Sequence, residues 1–90
     1  MKYIVKIPSM GGWNKAHIWK CGEPFGGQAR IVSLCNRGGR SAPQAGWIAE
    51  SWLNNNYPAI SVETRNPMEK NANHCDRCLK SWLINIWEKP

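Results

Sequence analysis

Cys75-Asp76-Arg77-Cys78 sets two thiols three positions apart at the start of the most helix-patterned stretch of the chain, and the only other cysteines, Cys21 and Cys35, stand well upstream. Thiolates at that spacing chelate a single tetrahedral ion, and structural zinc takes four Cys or His ligands. Cys35 is the natural third ligand, with Cys21 or His17 as the fourth. Thiolate softness favours Cys21 and an all-cysteine site. His74 adjoins Cys75 too closely to reach the same ion well, so a supporting or surface role is expected of it. The pattern predicts one structural Zn2+ that ties the N-terminal half of the chain to its C-terminal helix.

Other uses of these cysteines fit less well. A secreted disulfide framework needs an export signal, and residues 1–10 lack an apolar run of the required length, being interrupted by Lys6 and Pro8. A redox CxxC belongs after the first strand of a βαβ unit, whereas this one lies near the C-terminal end with no such unit before it. Unliganded core cysteines are common, but chance seldom sets two at CxxC ahead of a helix. Catalytic metal chemistry also lacks its partners. The zinc-deaminase pattern is missing, because His17 is followed by Ile18-Trp19 and Cys75 is preceded by His74. With two histidines in all, HExxH is absent as well. The expectation is a protein that is not an enzyme and has no small-molecule substrate.

Ninety residues make one domain, 1–90, whose core is small enough that a metal staple would remedy a real shortage of buried surface. No run approaches the ~18 apolar residues of a membrane span, so a soluble, cytoplasmic protein with reduced thiols is expected. The formal charge of +6 is uneven. Residues 1–49 hold seven basic side chains against Glu23 alone, while residues 50–90 hold five of each sign. Such a basic half attracts acidic partners, either nucleic acid or an acidic protein face.

The elements that must position the ligands follow from periodicity. Residues 2–7 alternate with Tyr3, Val5 and Ile7 on one side, and residues 16–20 and 29–35 read as two further strands. Ser41-Ala42-Pro43-Gln44 carries helix-start chemistry, predicting a helix to about Leu53 with Ala45, Ile48, Ala49, Trp52 and Leu53 on its buried face and Trp47 pointing away. Residues 59–64 suggest a fourth strand and 65–73 a polar loop. A second helix over 76–87 gathers Leu79, Trp82, Leu83, Ile86 and Trp87 into a stripe roughly 140° wide. The fold class expected is α+β: a small antiparallel sheet, two helices and one structural zinc.

The segments Lys15-Ala16-His17-Ile18-Trp19, Leu34-Cys35-Asn36 and His74-Cys75-Asp76-Arg77-Cys78-Leu79 together resemble the small His…Cys…CxxC zinc-binding accessory proteins of bacteriophages. In those, a Cys-Gly often ends the strand, where Asn36 stands here, and the knuckle is not separated by an inserted helix and strand. The resemblance implies His17 as the fourth ligand, a phage-type origin and a non-enzymatic role in adjusting a host protein of nucleic-acid metabolism through that protein's acidic face. Direct DNA or RNA binding is the alternative, and a CxxC redox module the third.

For either macromolecular partner the candidate contacts are basic and aromatic. Arg37 and Arg40 flank Gly38-Gly39 in a loop whose amides and guanidiniums could approach phosphate, though an exposed, solubilising turn explains the same residues. Arg30 adds to the basic half. Six tryptophans are many for this length, and Trp13, Trp19 and Trp47 are the candidate anchors or stacking platforms.

Overall fold

In the computed structural model, described for residues 2–7, 15–35 and 45–87, β-branched and aromatic residues at alternate positions drive the first three strands. These are β1 (Lys2–Lys6), β2 (His17–Cys21) and β3 (Gln28–Ser33). A fourth, β4 (Gly46–Ala49), follows, and the sheet order is β1-β2-β3-β4 with every neighbouring pair antiparallel. Helices α1 (Glu50–Asn56) and α2 (Asp76–Asn85) complete an α+β fold. Gly26 and Gly27 turn β2 into β3 with φ of 61° and 80°, a region that glycine enters without steric cost.

The sheet is covered on both faces, by different elements. On one face Ile4, Trp19, Cys21, Ala29 and Ile31 bury against Leu53 of α1, with Ile48 and Tyr57 packed alongside. On the other, Ile18 packs with Tyr3 and Val5 under Cys78 and Trp82 of α2, joined by Met68. Trp82 is fully buried, stands edge-on to Tyr3 at 5.4 Å between ring centroids, and donates its indole N–H to the Thr64 carbonyl at 2.7 Å. Because α2 lies against β1 and β2, it leaves the β3–β4 half of its face open.

Three expectations need correction. The stretch 46–49 is a strand, and the helix begins only at Glu50; Ser41, the expected cap, lies outside the described residues. The free edge of β3 accepts Gly46, Trp47, Ile48 and Ala49 as a cross-strand ladder; Trp and Ile favour strand, and Gly is a poor helix former. Trp52 therefore does not share a buried helical face with Ile48. It is 56% exposed, while Leu53 alone of α1 is buried.

The second correction concerns residues 59–64, which form no strand. Pro58 precedes the segment, a single backbone bond from the Ile60 N–H to the Tyr3 carbonyl (2.8 Å) docks it on β1, and a turn closed by Thr64 N–H to Ser61 C=O follows at once. The third concerns only the character of the loop expected over 65–73: it is a loop, but not polar throughout, because it buries Met68 completely. No helix among the described residues is long and apolar enough to cross a membrane.

Candidate metal centre

The register of the sheet builds half the site. Trp19 pairs with Ser33, and the Leu34 N–H reaches the Ile18 carbonyl at 2.9 Å, so continuing the ladder sets Cys35 opposite His17 at the end of the sheet. The other half arrives from the C-terminal segment. Ala16 and His74 form a parallel bridge in which the Ala16 N–H bonds the Asn73 carbonyl (3.0 Å) and the Cys75 N–H bonds the Ala16 carbonyl (2.9 Å). This delivers Cys75 as the residue capping α2, and one helical turn later Cys78 faces the same point.

His17, Cys35, Cys75 and Cys78 thus converge, with one ligand atom from each within 4.8 Å of the other three. His17 Nδ1 lies 3.4 Å from Cys35 Sγ and 3.5 Å from Cys78 Sγ. Bonds of about 2.3 Å to sulfur and 2.0 to 2.1 Å to nitrogen make the N···S edge of a metal tetrahedron roughly 3.6 Å long. The cluster fits a metal ion of that size. All four cysteines are free thiols, and Cys75 is the least buried of the three in the cluster.

Local electrostatics shows what such an ion would change. Burial pushes the Cys35 thiol above its usual range, partly countered by the Ser33 hydroxyl 3.5 Å away. Burial likewise pushes Cys78 up, and neighbouring Cys35 and Cys75 add to it. Burial, then the Lys15 charge, lowers His17, which keeps its imidazole neutral and able to ligate. A divalent cation at the centre reverses this logic for the sulfurs, since its charge offsets the desolvation of thiolates. The N-terminus of α2 contributes in the same direction.

Cys21 is not part of the cluster. It sits four residues along β2 from His17, about 13 Å at strand rise, and is buried against Ile4, Ala29 and Ile31. Ligand softness, which favoured it, is overruled by distance. His74 stays outside as well: its Nδ1 donates to the Asn71 carbonyl at 3.0 Å and its Nε2 lies 3.5 Å from Asp76, so it braces the turn leading into α2.

Among the other candidate contacts, Trp19 is a core residue, 3% exposed, with its indole N–H bonded to the Lys6 carbonyl and the Lys6 ammonium over its ring. Trp47 and Arg30 are exposed and directly opposite each other on β4 and β3. Trp13, Arg37 and Arg40 lie outside the described residues. Lys20, one of the seven basic residues of the N-terminal half, is the one charged residue of β2 and is exposed, its alternation with Trp19 and Cys21 placing it on the opposite face.

No protein-family model matches this chain, and no curated protein and no solved structure shows significant similarity to it. The geometry of the cluster therefore stands on its own residues.

Paired substitutions test the ligand assignment. Cys21→Ala is expected to retain full metal content at some cost in core packing. His17→Ala, which opens a coordination position, is expected to lower metal affinity by at least an order of magnitude, read by competition with a colorimetric chelator. Equal retention in the two variants would remove His17 from the site.

Proposed function

We propose that this protein is a zinc-stapled, non-enzymatic binding module whose basic surface docks on an acidic macromolecule. The observation that carries the staple is the convergence of one imidazole and three sulfurs at tetrahedral spacing. Three thiolates and one histidine are a structural zinc set, and such a set fills all four coordination positions. A catalytic zinc keeps one position open for water or substrate, so a closed site speaks for architecture rather than chemistry. The site also joins the ends of the fold, linking β2 and β3 to α2, where a small core benefits most.

The docking half of the proposal rests on charge. The chain carries +6 overall, with its excess in residues 1–49. Its partner is an acidic macromolecule of nucleic-acid metabolism. The resemblance to phage accessory proteins implies an acidic face on a host protein, in the cytoplasm of the host cell; nucleic acid itself is the other occupant, argued below.

Two measurements test this reading. Elemental analysis of protein purified without chelator is expected to give one zinc per chain. The holoprotein is expected to be retained at low salt on immobilised polyglutamate, on single-stranded oligonucleotide or on both, and to elute as salt rises. No zinc overturns the staple, and retention on neither matrix overturns the docking.

A further inference from the structure

The half of the sheet that α2 leaves bare has a consistent composition. On the face shared with Ile18, strand alternation and register place Lys20 of β2 opposite Val32 of β3, Arg30 opposite Trp47, and Gln28 opposite Ala49. Lys20, Gln28, Arg30, Trp47 and Ala49 are exposed and Val32 is half-buried. Trp47 presents a large apolar side chain there, 57% exposed, and Phe25, 82% exposed and paired with Gln28 at the hairpin end, stands on the same face, whereas Ile48 beside Trp47 turns to the buried face instead. No carboxylate is among these residues, and among the described residues Trp47, Arg30 and Lys20 have no hydrogen-bond, ion-pair or ring partner from a side chain.

From this juxtaposition we infer that the open β3–β4 face, with Trp47 as platform and Arg30 and Lys20 as cations, is a binding surface for single-stranded nucleic acid. The inference rests on the reading that the module docks on an acidic macromolecule and names which one. An indole lying on a sheet offers its π-face to a flat partner, and an unpaired base is flat, sequence-tolerant in stacking and joined to an anion on each side. Directly opposite residues stand about 5 Å apart and diagonal ones about 7 to 8 Å, so Arg30 falls beside a base stacked on Trp47, and Lys20, diagonal to Arg30, lies one strand further across the sheet. Bases in a duplex are already stacked on one another and present no free face to such a platform. An acidic peptide would satisfy the two cations and leave the indole without a matching surface.

The test uses the zinc-loaded full chain and fluorescence anisotropy with a labelled oligothymidylate of about 15 nucleotides, a duplex of equal length and polyglutamate. Oligothymidylate is expected to bind more tightly than the duplex, with an affinity that falls as salt rises. Trp47→Ala should weaken binding about 10- to 100-fold. Trp47→Phe should recover part of that loss, and Trp52→Ala, on the helix that covers the opposite face, should bind as the parent does. Arg30→Gln should reduce the log–log salt slope by about 0.7, the contribution of one phosphate on a single strand. Melting temperatures separate lost binding from lost fold, and Arg30→Gln serves if Trp47→Ala does not fold.

Unchanged affinity in both Trp47→Ala and Arg30→Gln overturns the assignment, as does a loss in Trp52→Ala equal to that in Trp47→Ala. Binding to polyglutamate without binding to oligothymidylate overturns it too, yet leaves the docking reading intact. Binding to neither overturns both.

Discussion

Cys75→Ser is expected to abolish the folded state at moderate temperature. The serine hydroxyl is a poor ligand for a thiolate-preferring ion, and the substitution opens a position in a site made of His17, Cys35, Cys75 and Cys78. Structural zinc contributes ~10 to 16 kcal/mol in small peptides, as much as or more than the ~5 to 15 kcal/mol that holds a whole domain together. Removing the metal with a strong chelator should have the same outcome in the parent protein, read as loss of the cooperative thermal transition. Acid should release it as well, because protons compete for the thiolates. An undiminished melting temperature in Cys75→Ser, together with metal-free parent protein, would falsify the staple.

Trp82→Ala is expected to produce the largest loss outside the metal site. Trp82 is fully buried at the junction of α2, β1 and the 60s segment, edge-on to Tyr3 and bonded to the Thr64 carbonyl. Truncating a buried Trp costs ~3 to 5 kcal/mol through lost transfer energy and the cavity left behind. In a domain of this size each kcal/mol lowers the melting temperature by roughly 4 to 8 °C. Trp82→Phe keeps one aromatic ring but loses the N–H bond, at ~1 kcal/mol, and part of the buried volume of the indole, for a cost smaller than that of alanine. Denaturant titration of zinc-saturated protein checks both values. A loss below about 1 kcal/mol in Trp82→Ala would mean that α2 is not held down by this residue.

The same tryptophan shows why packing, rather than periodicity alone, ranks the aromatics. Helical geometry put Trp82 and Trp87 together at the edges of one stripe, yet Trp82 is fully buried whereas Trp87 is only partly covered. Trp87 sits beside Arg65 and donates to the Glu63 carbonyl. The 60s segment covers the end of α2, and nothing in its own polar sequence announces that role.

By itself the sequence determined the parts whose cause is local. The period-2 pattern in residues 2–7 and the β-branched run around Ile31-Val32 specify strands wherever they end up. The CxxC spacing commits Cys75 and Cys78 to one helical turn, and so to one point in space, before any other residue is placed. The α+β class and Cys35 as the third member of the cluster were also legible in this way. What only the tertiary structure decided depends on distances across strands. Whether His17 or Cys21 joins the cluster is a matter of register, because both alternate to the same side of β2 and only the pairing with β3 sets Cys35 opposite one of them. Residues 46–49 could serve as helix or strand, and the unpaired edge of β3 settled it by offering backbone bonds that a solvent-exposed helix start could not match. That choice turned Trp47 outward beside Arg30, since in a strand neighbouring side chains part to opposite faces, whereas in a helix they wind around an axis.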